Sequence, residues 1–276
     1  AFSGALFSKC MKGAIDPTVS LVIAVIIGAA VATVFGVLIG IPVLRLKGDY
    51  LAIVTLAFGE IIKNIINAVY LGRDGSGFHI SLKDSMSLKM DADGEVLIKG
   101  AQGITGTPQA ATFTIGVILV LITLFIVMNL VNSRTGRAIM AVRDNKIAAE
   151  SVGISVTQYR MIAFVVSAAL AGAAGALFGG NFSQLSATKF DFNTSILILV
   201  FVVLGGLGNM RGSVIAAALL TVLPELLRQF SDYRMLIYAI VLILVMVFTN
   251  NPQLKAFFAR IKDRLAPKKE VAADAQ

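Results

Sequence analysis

From Val19 to Leu44 the chain carries no charged side chain, and the same holds from Ala110 to Leu130 and from Met161 to Gly180. Apolar runs of ~17–25 residues have the length a helix needs to cross ~30 Å of hydrocarbon. Inside hydrocarbon the backbone finds no water, so each run must satisfy its own N–H and C=O groups as a helix. Composition agrees: of 276 residues 57% are hydrophobic and only 14% charged, with a mean hydropathy of +0.85. Soluble domains carry about a quarter charged residues. The expected fold is therefore all-α, a polytopic helical membrane protein. It forms one membrane domain over residues 1–276, with about seven crossings inferred from run length and loop charge.

Loop charge sets the orientation. The stretch 132–160 holds Arg134, Arg137, Arg143, Lys146 and Arg160 against only Asp144 and Glu150. Short loops rich in Lys and Arg stay cytoplasmic. Arg45 and Lys47 close the span that begins after Asp16-Pro17-Thr18, a helix-start signal, so that end is also inside. Lys255, Arg260, Lys262, Arg264, Lys268 and Lys269 make the tail 251–276 a basic, amphipathic, cytoplasmic segment at the membrane surface. In the loop 72–107 acids and bases nearly balance, consistent with the outside. The net charge of +8 thus reports topology and not nucleic-acid binding.

The loop 132–160 also reads as folded. Asp144 or Asn145 can cap a short helix over Lys146 to Val152, and Gly153 stands where a left-handed C-terminal cap would end it. Ser155 and Gln158 have the capping-box spacing that opens the next helix. Such a knob suits docking to a protein; a plain solvated connection is the alternative.

Four further features stand out. Glu60, Lys63, Asn64 and Asn67 fall on one helix face within the apolar segment Leu51 to Leu71. They line a polar pathway, form a structural Glu60–Lys63 pair buried between helices, or mark a helix lying at the interface. In the loop 72–107, Ser87 to Met90 and Val96 to Lys99 flank Asp93-Gly94 and predict a small β-hairpin. Small residues form rows at Ala171, Gly175, Gly179 and at Ala168, Gly172, Ala176, Gly180, which lets helix backbones approach closely. Gly205, Gly206, Gly208 and Gly212 interrupt the apolar pattern and predict a broken helix, spanning or re-entrant, before a last span over Leu236 to Phe248.

Chemistry is sparse. One cysteine, Cys10, allows no internal disulfide, and one histidine, His79, precludes a two-histidine zinc motif. The acids of the loop 72–107 lack calcium-loop spacing, so no metal site is expected. There is no phosphate-binding G-x-x-x-x-G-K-[ST] sequence and no nucleophile with a paired base, so the chain is not expected to be an enzyme.

The segments RLKGDYLAIVTLAFGEIIKNI (45–65), SRTGRAIMAVRDNKIAAESVGI (133–154), AFVVSAALAGAAGALFG (163–179) and VVLGGLGNMRGSVIAAALLTVLPELLR (202–228) resemble LivM-type permease subunits of branched-chain amino acid ABC importers. The resemblance implies several things that composition does not. Such a subunit pairs with a second, similar permease in the inner membrane. Two ATPase subunits carry ATP and Mg on the cytoplasmic side, leaving this chain without a cofactor of its own. A periplasmic binding protein delivers leucine, isoleucine or valine. Arg143, Asp144, Ala148, Ala149, Glu150 and Gly153 would form the coupling loop that meets the ATPase. The resemblance also leads us to expect the family's leading helices before Ala1, and implies that the loop around Ser81 to Lys99 is longer than usual. A related permease for urea or short amides, and an ion-coupled secondary transporter using Glu60, are the alternatives.

Overall fold

The start signal at Asp16-Pro17 is used as read: helix α2 (Pro17–Val43) begins on Pro17, whose missing N–H is no loss in a first turn. A computed structural model describes residues 1–226 except 15, 47, 48, 76, 84, 89–93 and 207, together with 240 and 243. A short helix, α1 (Phe2–Cys10), precedes α2; α3 (Asp49–Ala68), α4 (Phe113–Asn132) and α7 (Val156–Gly179) follow it. Among the described residues five segments are long and apolar enough to cross a membrane: these four long helices and Ala187–Gly205. The expected span over 236–248 and the basic tail 251–276 lie outside the described residues, as does the expected total of seven crossings.

Small residues decide how the first unit, Ala1–Phe192, packs. Gly28, Ala32, Gly36 and Gly40 recur every fourth residue on α2, and α7 answers with Ala176, Gly172 and Ala168. A Cβ on Gly28 would lie 2.8 Å from that of Ala176 and 3.0 Å from the Gly172 carbonyl oxygen. One on Gly36 would lie 2.8 Å from the Ala168 Cβ, and one on Gly40 2.8 Å from the Met161 sulfur. The two helices are thus antiparallel and in backbone contact, the packing that small-xxx-small rows permit. Of the two rows read on α7, the one through Gly172 makes this contact. The row Ala171, Gly175, Gly179 does not: Gly175 and Gly179 face Ala1 beside α1, and Ala171 is exposed.

The fold is mostly helical but not all-α. A five-stranded antiparallel sheet, in the order β2-β1-β3-β4-β5, joins β1 (Tyr70–Asp74), β2 (Gly77–Ser81), β3 (Glu95–Lys99), β4 (Ile104–Thr105) and β5 (Gln184–Leu185). This corrects the hairpin expected at 87–99. Residues 85–88 form a 3₁₀ turn, and β3 pairs with β1 and β4. An Asp-Gly turn does join β1 to β2 at Asp74-Gly75, where the Asp74 carboxylate accepts from the Gly77 N–H at 3.1 Å, whereas most of the turn expected at 91–95 lies outside the described residues. Leu97 and Ile98, adjacent in β3, are both buried, as befits a central strand whose partners are distant in sequence.

The sheet collects the end of α3, the start of α4 and the end of α7, and α1 is tied to it by the Lys9 ammonium, which pairs with Glu95 and donates to the Val96 carbonyl, each at 3.1 Å. Because α2 and α7 are antiparallel, the start of α2 lies at that end too. The end of α2, the end of α4 and the start of α7 gather at the opposite end.

The second unit, from Asn193 on, contains most of α8 (Phe192–Gly205) and α9 (Met210–Leu226). Gly206 and Gly208 break the helix with φ of +92° and +87°. Gly205 and Gly212 then touch across the break: a Cβ on either would run into backbone of the other arm.

Candidate functional site

At the end opposite the sheet, α4 stops at Asn132 and the chain turns at once. Ser133 caps the next helix, α5 (Arg134–Asp144): its hydroxyl accepts from the Gly136 N–H at 3.0 Å and donates to the Leu130 carbonyl at 2.6 Å. A side chain at Gly136 would strike the carbonyls of Leu130 and Val131, so the turn needs glycine there. Sequence reading missed α5 as a separate helix; the Ser133 cap signal was present but lay against an uninterrupted apolar run.

α6 (Lys146–Ser151) follows after one extended residue. Of the two expected caps, Asn145 acts: its side-chain oxygen accepts from the N–H groups of Ile147 and Ala148 at 3.0 and 3.1 Å. Asp144 pairs with Arg143 instead, at 2.9 Å. The C-terminus closes as read. Gly153 has φ +82°; its N–H bonds to the Glu150 carbonyl and that of Ile154 to the Ala149 carbonyl, both at 3.0 Å. That pair of bonds is a Schellman motif, with the hydrophobic contact that accompanies it. Val142, Ala149 and Val156 are buried together, and Ile154 and Tyr159 pack on them. Ser155 ends the loop by donating to the Gln158 side-chain oxygen at 2.6 Å, so the two side chains bond to each other and not to backbone amides.

The knob therefore has a core of its own and a fixed outward face. Ile147 is 80% and Val152 73% exposed, and Lys146 and Glu150 flank them one turn apart at 3.9 Å. Two large apolar side chains held by a miniature core and edged by charge form a convex surface. Such a surface gains free energy when it is buried against another apolar surface.

The polar stripe lies on α3. Glu60 and Lys63 form an ion pair. Lys63 and Asn67 are half-buried, but Glu60 and Asn64 are exposed on the helix surface. The Asn67 side-chain oxygen is buried without a hydrogen bond among the described residues. A buried pair between helices of this chain is thus only half realised: the pair exists, and one side of it is open. A charge at mid-membrane costs ~2.5–3.5 kcal/mol in lipid, so the open side calls for water or another polypeptide. Among the described residues no group of His, Cys, Asp and Glu could hold a metal ion.

Comparison with known proteins bears on this arrangement. Residues 1–246 match the family described as "Branched-chain amino acid transport system / permease component". The chain is 35% identical over 241 residues to the high-affinity branched-chain amino acid transport system permease protein LivM of Salmonella typhimurium, covering 82% of this chain and 57% of that protein. It is 35% identical over 245 residues to the Escherichia coli protein of the same name, covering 83% and 58%. The fructose import permease protein FruG of Bifidobacterium longum is 30% identical over 125 residues, covering 43% of this chain and 37% of that one. The chain thus spans less than two thirds of the length of these relatives, and no solved structure matches it. With five membrane-length helices among the described residues and a match over residues 1–246, the chain belongs to the family of permease components of branched-chain amino acid transport systems.

Proposed function

We propose that this chain is a translocating subunit of an ATP-driven importer that carries leucine, isoleucine or valine across the inner membrane, and that residues 132–160 receive the stroke of a partner ATPase. The observation that carries this reading is the knob: a six-residue helix capped at both ends, backed by Val142, Ala149 and Val156, and presenting Ile147 and Val152 outward. A solvated connection between spans needs neither a core nor exposed apolar side chains. Its basic charge supports a cytoplasmic position, where ATP is available. Arg143, Asp144, Ala148, Ala149, Glu150 and Gly153 form or frame this surface.

The rest of the assembly follows from the same reading. ATP and Mg sit on two ATPase subunits, and this chain holds no cofactor. A second, similar permease and a periplasmic binding protein complete the importer. The open polar side of α3, with Glu60 and Asn64, faces the translocation path or the second permease. The alternative cargo is urea or a short amide.

The test uses the assembled transporter. Glu150→Lys and Gly153→Val are expected to leave the chain inserted and stable but to reduce ATPase recovery in pull-downs and to abolish vanadate-sensitive uptake of labelled leucine. Wild-type ATPase binding and uptake by both variants would reduce the knob to a connection. Vanadate-resistant uptake driven by an ion gradient would replace the importer by a secondary transporter.

A further inference from the structure

Edge strands normally hide from other molecules behind charge, bulges or short length. Strand β2 does the opposite. It is one edge of the sheet, and Phe78 and Ile80 on one of its faces are 62% and 71% exposed; Leu82, next in the same alternation, is 67% exposed. The other face carries His79, paired with Asp74 at 3.1 Å, and Ser81, bonded to Ser87. β2 is thus amphipathic, with its apolar side uncovered.

The height of that side is fixed by the rest of the sheet. Ile80, Leu71, Ile98, Ile104 and Leu185 are successive cross-strand partners, one from each strand. Ile98, Ile104 and Leu185 share a core with Ala5 of α1, and Leu71 packs against it. The residue before Ala5 touches the spans: a Cβ on Gly4 would lie 2.9 Å from that of Ala176 in α7 and 3.1 Å from the Ala24 carbonyl in α2. Ala24 stands about two turns inside the start of α2. On another path, β1 begins at Tyr70, two residues past the end of α3, and Tyr70 pairs with Ser81. Both routes set Ile80 and Leu82 at the level where the spans leave the hydrocarbon. Strand residues on one face repeat every ~6.6 Å, so from Leu82 to Ile80 the strand crosses a headgroup layer of ~5–7 Å, and Phe78, ~13 Å from Leu82, stands at its outer limit.

The flanking residues suit that layer. Tyr70 stands at the helix exit, the Arg73 guanidinium lies over the Phe78 ring at 5.9 Å, and Lys83 is exposed beside Leu82. Aromatic and long basic side chains with apolar stems collect at the membrane interface.

We infer that the apolar face of β2, through Phe78, Ile80 and Leu82, is a membrane-anchoring edge that beds the sheet into the headgroup region of the adjacent leaflet. There Arg73 and Lys83 meet lipid phosphates, and interfacial water serves the unpaired strand backbone. The inference rests on the membrane spans, and neither on the orientation nor on the cargo proposed above.

Spin labels test it in the assembled transporter reconstituted in phosphatidylethanolamine–phosphatidylglycerol vesicles, on a Cys10→Ser background. Labels are placed singly by Phe78→Cys, Ile80→Cys and Leu82→Cys, with Lys12→Cys as the water-exposed reference. Dioxygen, which concentrates in lipid, and a water-soluble nickel chelate are the collision probes. The ratio of dioxygen to nickel collisions is expected to exceed that at position 12 several-fold at 80 and 82, and to fall in the order 82, 80, 78. A water-like ratio at 80 and 82 overturns the proposal. So does an immobilised label reached by neither probe, which would mean that another protein surface covers the strand. Should Ile80→Cys fail to co-purify with the other subunits, Leu82→Cys decides the question alone, and uptake by these variants separates this result from the cargo assignment.

Discussion

On the proposed reading two residues carry most of the mechanistic weight, and each does so through a different cost. Gly153 is held at φ +82°, yet a Cβ there would meet nothing within 4 Å. The penalty for replacing it is therefore backbone strain alone, ~1–3 kcal/mol for an L-residue in this region. Asn tolerates the conformation best and a β-branched side chain worst, so uptake should fall in the order Gly, Asn, Ala, Val. Thermal stability of the solubilised permease should barely follow that order, because α6 contributes little to packing between the spans. Glu60 is the converse case, costly because of its surroundings. If its open side faces the path, Glu60→Gln keeps assembly and lowers uptake. If it faces a neighbouring polypeptide that completes a buried pair with Lys63, losing one partner costs ~3–5 kcal/mol, and Glu60→Leu with Lys63→Leu should restore assembly. Recovery of the complex after mild solubilisation, measured beside uptake, separates the two. Normal uptake by Glu60→Leu would remove both.

Between elements, the tightest constraint is the α2–α7 contact. A Cβ on Gly172 would press on Ala32 and lie 2.5 Å from the Gly28 carbonyl oxygen, which is backbone and cannot swing away. Gly172→Val should therefore separate the helices and lower the melting temperature of the solubilised permease by ~5 °C or more. Gly116→Ala, whose Cβ meets only the tip of Leu177 at 3.8 Å, should leave it unchanged. This contact also shows where sequence reading stops. Local signals were legible: the Pro17 start, the Asn145 cap and the Gly153 stop each act over a few residues and survive into the fold. The row Gly28, Ala32, Gly36, Gly40 has the same small-xxx-small spacing and was overlooked, and the choice between the two rows on α7 depends on a partner elsewhere in the chain. The sheet failed for a similar reason. β3 pairs with strands before and after it, whereas a turn signal at Asp93-Gly94 speaks only for adjacent segments. Of the site, the knob was local and legible. The stripe on α3 was legible as a face, but its exposure depends on what α2 and the turns at the sheet end leave uncovered.

For the molecule as a whole, the antiparallel pairing of α2 with α7 and the collection of helix ends by the sheet leave little freedom. The loop 72–107 and the knob 132–160 lie at opposite ends of the helical unit, and a chain whose spans alternate must place them on opposite sides of the membrane. Geometry cannot say which side is which; charge can. Moving Arg134, Arg137, Arg143, Lys146 and Arg160 to the outer face would oppose the bias that retains basic loops in the cytoplasm, whereas the loop 72–107, with near-balanced charge, crosses without that penalty. On a Cys10→Ser background, a membrane-impermeant maleimide added to intact cells should therefore label Ser87→Cys. It should label Ser151→Cys, also exposed on the surface, only after permeabilisation. The reverse result would invert the molecule and leave its fold untouched, and it would remove the knob from the compartment that holds ATP. Labelling of both positions from outside would contradict the alternation of the spans, and with it the arrangement of α2, α4 and α7 on which the knob and the sheet depend.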